Sequence, residues 1–351
     1  MENENSRVKR ILMISSIRDD RWVTMPIDEL FEWRPYSLQG ILYNLTKIGW
    51  VERRAGNKEC FNPRKLAKVI DEFKPDIIYT YGSILSIQPL ISRKFWCKHK
   101  NFKVVHGWDD RYGDIWHDVY GWLPGVFMRW FEKLMIKKSD AVVTLSIYQK
   151  AIAMDWGVVC KYIPNGCDHL EFDKSKCDIK LEGDLNIVYT GDQARWKRTA
   201  EICEAMRHVP KNIKLYITGR HYAYLDEYAS DNCIFLGYIS KNDQWCVVDQ
   251  ADATVCTSNQ DCNAKIHEYL RMKKPILGYD GRGNMLFKNG HNALLTRDYK
   301  STLMYLYEHP ELKEKLVENA ANDIPVYTWY EIAQQFSDYF EGLLSGNEYQ
   351  D

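Results

Sequence analysis

The sequence lacks every short motif that marks phosphate or acyl chemistry by itself. No Gly-x-Gly-x-x-Gly follows its first apolar run, which excludes the usual dinucleotide fingerprint. No Gly-x4-Gly-Lys-Ser/Thr occurs, which excludes a P-loop NTPase. Gly-x-Ser-x-Gly is missing too, against an α/β hydrolase. There is no Asp-x-Asp, so a metal-clamped phosphate has no seat, and none of the 10 cysteines forms a Cys-x-x-Cys pair or a zinc-spaced array with histidine. Cys233 and Cys256 lie inside apolar runs, where cysteine acts as a small hydrophobe. The cysteines are therefore expected to be reduced. Long hydrophobic runs are also absent: the longest uncharged stretch, Ile77 to Ser92, contains Pro89 and polar residues and is too short to span a bilayer. The opening "MENENSRVKR" leads straight into a short strand, with no apolar signal segment. A cytoplasmic location is expected, with room for peripheral contact at the cytoplasmic membrane face.

What is present is an ordinary globular composition, 45% hydrophobic and 27% charged, over 351 residues. That length suits two domains better than one core. Charge is unevenly spread. Residues 1–170 carry 26 Lys/Arg against 20 Asp/Glu, a net of +6, and the remainder 21 against 28, a net of −7. A basic front half can face an anionic partner, although uneven surface charge is often without consequence.

Short β-rich runs alternate with longer helical patterns, the pattern of doubly wound α/β domains with parallel sheets. In the first half the strands are expected at 10–15, 76–80, 103–107, 141–146 and 161–164. In the second they fall at 186–191, 214–219, 233–237, 253–258, 275–279 and 292–296. Helical patterns include "PRKLAKVIDEF" (63–73), with Leu66, Val69, Ile70 and Phe73 on one face. The polar, aperiodic stretch 163–184 reads as an interdomain linker. In sheets of this kind ligands sit beyond the carboxyl ends of the strands.

Two segments carry candidate chemistry. In "VYTGDQARWKRTAEICEAM" (188–206) a strand ends at Gly191, and Arg195, Lys197 and Arg198 precede a helix. Cations and backbone N–H groups at such a junction suit a diphosphate, but the loop also reads as solvated charge. In "TSNQDCNAKIHEYLRMKK" (257–274) a strand passes through Gln260, Asp261 and Asn263 into a helix. Glu268 can accept two hydroxyl hydrogen bonds, as a ribose diol would offer. The plainer alternative is a Lys265–Glu268 surface pair at i,i+3, worth a few tenths of a kcal/mol.

Taken in order, segments 139–344 resemble retaining glycosyltransferases of family 4, with the GT-B fold. "KYIPNGCDHLEF" resembles the family's "PNG-x-D" passage, "YTGDQARWK" its Gly-Arg loop with a later Lys, and "NAKIHEYLRMKKPILGYDGRGNMLFKNGHNALL" its donor segment. "YTWYEIAQQFSDYF" is similar to the closing helix. The resemblance implies two Rossmann-like domains facing a central cleft. Residues 1–168 would bind acceptor, 169–330 would bind donor, and 331–351 would pack back on the first domain. It implies metal-independent transfer of a hexosyl group, with retention, from a UDP- or GDP-linked sugar to a glycan or lipid-linked acceptor, and no cofactor.

Residue by residue, Gly191 and Lys197 match the family's diphosphate loop, and Glu268 matches the second Glu of Glu-x7-Glu, which holds the ribose. Asn263 and Lys265 lie in the same donor segment. Asp192 stands where the family has an Arg, with Arg195 the candidate replacement. Gln260 stands where the first Glu is expected, with Asp261 beside it as a substitute. In the first half, His106 in "KVVHGWDDRYGD" resembles a position near the transferred sugar, and Asp109 and Asp110 are acceptor candidates. A histidine at a strand end also serves as a structural hydrogen-bonder. A sugar-nucleotide 2-epimerase and an inactive nucleotide-sugar binder are the rival readings.

Between Trp116 and Lys138, aromatics interleave with Arg129, Lys133, Lys137 and Lys138. Such a helix can lie on an anionic membrane. Its apolar spacing favours a core-packed helix with cations in water, and no nucleic-acid motif accompanies it.

Overall fold

The computed structural model describes residues 8–15, 21–29, 37–82, 85–168, 171–260 and 262–346. Two compact units emerge: residues 1–166 with 327–351, and residues 167–326. The divisions expected from the sequence fall at 168/169 and 330/331.

Unit 1 is built on six parallel strands: β1 (Arg10–Ser15), β2 (Val51–Ala55), β3 (Ile77–Tyr81), β4 (Lys103–Trp108), β5 (Ala141–Thr144) and β6 (Lys161–Tyr162). Their order is β2-β1-β3-β4-β5-β6. The period of two along each strand feeds two cores. Ile11, Met13, Ile77, Tyr79 and Val105 join one cluster, while Leu12, Ile14, Ile78 and Val104 join the other. Helix α1 (Ser37–Lys47) covers the first face. On the second lies α2 (Pro63–Phe73), opened by the Asn62 cap and a proline in its first turn, with Leu66, Ala67 and Ile70 buried. Helices at 87–95 (α3) and, later, 147–155 (α6) complete the layers.

Strand β2 was not expected. Its residues Val-Glu-Arg-Arg-Ala carry three charges, which hides the strand from hydropathy, and its place at the sheet edge tolerates them.

After β4 the chain makes a helical hairpin, α4 (Tyr112–Tyr120) and α5 (Trp122–Lys138), turned at Gly121 with φ 92°. The two helices approach closely because Gly113 faces Arg129 and Glu132, and Gly125 faces His117. Glu132 is buried at 2% exposure. Its carboxylate accepts the N–H groups of Tyr112 (2.8 Å) and Gly113 (2.8 Å) at the start of α4, and the Trp108 indole N–H (3.3 Å). This fixes the hairpin to the end of β4. The core-packed expectation for 116–138 holds on one side only: Met128, Met135 and Ile136 are buried, while Tyr120, Trp122, Leu123, Phe127 and Trp130 are 58–69% exposed.

Unit 2 has β7 (Leu185–Tyr189), β8 (Ile213–Thr218), β9 (Cys233–Gly237), β10 (Ala253–Cys256), β11 (Ile276–Tyr279) and β12 (Leu294–Thr296), all parallel. The order β12-β11-β10-β7-β8-β9 is that of a Rossmann sheet, with its switch point between β7 and β10. Around it lie α7 (Thr199–Met206), α8 (Lys241–Gln250), α9 (Ala264–Arg271), α10 (Tyr299–Glu308) and α11 (Leu312–Asp323).

Between Asp173 and Leu181 the stretch expected as a linker is not a free tether, because it lies along α8. Asp173 N–H donates to Asn242 (2.7 Å), Lys174 pairs with Asp249 (2.7 Å), and Gln250 donates to the Ile179 carbonyl (2.9 Å). Cys177 and Cys246 form a disulfide there, which corrects the expectation of ten reduced thiols. The two lie 69 residues apart, so no local spacing signals the pair.

The last helix, α12 (Trp329–Ser345), begins with a capping box of Thr328 and Glu331 and returns to unit 1. Trp329, Ile332, Phe336 and Phe340 pack into the cluster that holds Ile41 and Leu45 of α1.

Candidate functional site

In unit 2 the loops after β7 and β10 leave from the carboxyl ends of neighbouring strands on the two sides of the switch point, where a doubly wound sheet presents its helix N-termini. The loop after β7 turns at Gly191, whose φ of 102° suits glycine. It then makes a short turn, Arg195–Lys197, before α7. Two interactions hold Lys197. Its carbonyl accepts the Thr257 hydroxyl, and its ammonium donates to the Asn263 side-chain oxygen at 2.9 Å. Asn263 in turn donates to the Ser258 hydroxyl (2.7 Å) and the Gln260 carbonyl (2.7 Å), tying the two loops together.

Lys265 does not pair with Glu268. Its ammonium donates to the Thr190 carbonyl at 3.0 Å and lies 3.4 Å from the centre of the Tyr189 ring. The surface-pair alternative therefore fails, because Lys265 turns in toward the strand end. Burial brings Lys265 down to about 8, which leaves it cationic at neutral pH. Exposed Arg195 stacks on Tyr224 at 4.4 Å. Arg198 pairs with Glu201 at 2.8 Å and stacks on Tyr279. Lys197, Arg195 and Arg198 thus lie on the loop after β7, and Lys265 reaches its start at Thr190. Asp192 accepts from the Tyr222 hydroxyl at 2.8 Å.

Glu268, one turn into α9, is half-buried, and its carboxylate has no hydrogen-bond or ion-pair partner among the described residues. Burial pushes its pKa up to about 7, against the pull of Lys241 and Lys265. Gln260 is buried at 6% exposure, its amide oxygen accepting from the Cys262 thiol at 3.5 Å. Asp261 lies outside the described residues.

The sequence did not single out the residues that hold this frame. The Tyr269 hydroxyl meets the Thr190 N–H and hydroxyl, both at 2.9 Å, and fixes the end of β7. Asn284 donates to the carbonyls of Tyr279 (2.6 Å) and Ser258 (3.3 Å), latching the turn after β11 to the loop after β10. Apart from their polarity between strand signals, nothing in the sequence marks them.

In unit 1, His106 is fully buried on β4. Its Nδ1 shares a hydrogen bond with the Ser86 hydroxyl, which meets Thr80 at 2.6 Å, and its Nε2 has no partner among the described residues. Burial pushes His106 down to about 3, so it is neutral at physiological pH. Asp109, just beyond β4, is buried with Oδ1 unpartnered among the described residues, and burial together with Asp110 raises its pKa well above the ordinary range. Asp110 is half-buried beside it. These residues share the β4 end, one unit away in sequence from the cationic loops.

Residues 31–170 match the profile of Glycosyltransferase Family 4. Among solved structures, sucrose-phosphate synthase from Thermosynechococcus elongatus aligns with a TM-score of 0.75 at 15% identity, over 96% of this chain and 100% of that one. Alr3699/HepE from Anabaena, in complex with UDP and glucose, aligns with a TM-score of 0.66 at 14% identity, over 95% and 100%. A glycosyltransferase from Rickettsia africae aligns at 0.59 and 12%, over 96% and 98%. These identities carry a likeness of fold. No curated protein matches the chain in sequence.

Proposed function

We infer that this chain, whose residues 31–170 match the profile of Glycosyltransferase Family 4, is a GT-B glycosyltransferase that transfers a hexosyl group from a UDP- or GDP-linked sugar with retention of anomeric configuration. The observation that carries this reading is the loop pair of unit 2. Lys197 is held by Thr257 and Asn263, Lys265 by Thr190, and Glu268, without a partner among the described residues, lies on the helix that follows the second loop. As the bond from sugar carbon to phosphate oxygen breaks, negative charge grows on the departing diphosphate. Fixed cations stabilise that charge without reorganising. Lys197 and Arg195 would face it, joined by the free N–H groups of α9, and the reaction would proceed without a metal.

Glu268 in its ionised form would accept both ribose hydroxyls. Gln260 would hydrogen-bond the sugar without adding negative charge, and Asp261 is assigned beside it from the sequence. Asp109 and Asp110 would receive an acceptor hydroxyl, glycan or lipid-linked. His106, being neutral, would offer Nε2 to a hydroxyl. The bound UDP and UDP-glucose of HepE support a uridine donor first.

Calorimetry with UDP and GDP, followed by product analysis with each sugar nucleotide, tests the assignment. A new glycoside with free nucleoside diphosphate supports transfer. An epimerised sugar nucleotide would mean the 2-epimerase. Binding without turnover would mean a binding protein, to which Asp192 and Gln260 already point.

A further inference from the structure

The α4–α5 hairpin presents a face that no described part of the chain covers. On α5, Trp122, Leu123, Val126, Phe127 and Trp130 are 41–69% exposed. They follow the helical repeat along one side, opposite the buried Gly125, Met128, Glu132, Met135 and Ile136. Val119 and Tyr120, at the end of α4, extend the apolar area around the Gly121 corner. The same side continues toward the helix end as Lys133, Lys137 and Lys138, the last two exposed. Apolar and aromatic residues therefore occupy the corner, and cations occupy the far end of one helix.

Soluble surfaces rarely gather this much apolar side chain in one place. The composition narrows the occupant. Tryptophan and tyrosine favour the boundary between headgroups and acyl chains, and lysine rows favour anionic headgroups. Unit 1 belongs to the basic half of the sequence, where residues 1–170 carry a net +6. Among the described residues no helix is long and apolar enough to cross a membrane, so the contact would be from one side.

We propose that the corner and outer face of the α4–α5 hairpin, centred on Trp122, Leu123, Phe127 and Trp130, dock on an anionic lipid bilayer, with Lys137 and Lys138 engaging the headgroups. The hairpin is fixed by Glu132 to the end of β4, the strand that leads into Asp109 and Asp110. A lipid-linked acceptor would then be captured at the surface where it resides. That last link rests on the proposed function; the docking does not.

The test is sedimentation of the full chain with vesicles of phosphatidylcholine alone or mixed with phosphatidylglycerol, with tryptophan emission read in parallel. Binding is expected only to the anionic vesicles, with a blue shift and with weakening by salt. The triple substitution Trp122→Ser, Leu123→Ser, Phe127→Ser should lower partitioning on the order of 100-fold. Lys137→Glu with Lys138→Glu should lower it by about 10-fold. All five side chains are exposed, so thermal midpoints and UDP affinity in unit 2 should be unchanged, which confirms intact folding.

Absence of vesicle binding overturns the proposal, as does equal binding to neutral vesicles. A concentration-dependent dimer abolished by the triple substitution, without vesicle binding, assigns the face to a second copy and also overturns it. If vesicles bind but no nucleotide does, the docking stands and the proposed function fails.

Discussion

Lys197 has its backbone fixed by Thr257 and its ammonium oriented by Asn263 before any ligand arrives. A positioned cation of that kind acts mainly on charge that develops in the transition state. Lys197→Ala should therefore cut kcat on the order of 100- to 1000-fold while nucleotide affinity changes less, as steady-state kinetics with calorimetry would reveal. Glu268 makes a prediction of different form. With the ribose role proposed for it, a pKa of about 7 means that the ionised carboxylate is lost as pH falls through neutrality, so UDP affinity should drop there. In Glu268→Gln that pH dependence should vanish. Stability has the opposite sign. A carboxyl raised from 4.5 to about 7 holds its proton longer in the folded chain, so stability declines as pH rises through that window. Above it, Glu268→Gln should melt higher than the parent while binding nucleotide more weakly. A parent that melts higher than the variant would contradict the assignment.

Among the elements, the hairpin depends on one buried carboxylate. Removing it in Glu132→Ala would leave two helix N–H groups and the Trp108 indole without their acceptor. Each unsatisfied buried donor costs about 1–3 kcal/mol, so the variant should lose at least ~2 kcal/mol in denaturant unfolding. Elements were legible where their side chains repeat. The helix 63–73 and the strands 10–15 and 233–237 coincide with their sequence patterns, because each must satisfy its own backbone while presenting an apolar face. Strand β2 escaped because an edge strand can be charged. The candidate site was legible in part. Gly191, Lys197 and Glu268 follow strand ends at readable spacings, whereas Tyr269 and Asn284 act through partners 79 and 26 residues away. The 116–138 hairpin looked like core from its spacing, since periodicity reveals that a face is apolar and not whether anything covers it.

For the whole molecule, the disulfide between Cys177 and Cys246 closes a loop spanning β7 to β9 and most of α8. Closure over a separation of 69 residues restricts the unfolded chain by about 4 kcal/mol in the chain-entropy picture. Reductant, or Cys246→Ser, should lower the thermal midpoint of unit 2 in calorimetry and leave that of unit 1 in place. An unshifted midpoint would show that the bond adds nothing. The sequence by itself determined the alternation of strands and helices, the two-domain size and the cationic loop beside Gly191, because these depend on neighbours close in the chain. Only the tertiary structure decided the strand order that places the loops after β7 and β10 side by side. It also turned Lys265 toward Thr190, left Glu268 without a partner among the described residues and exposed the aromatic corner of the hairpin. Those outcomes depend on contacts between distant segments, whose packing the order of residues does not spell out locally.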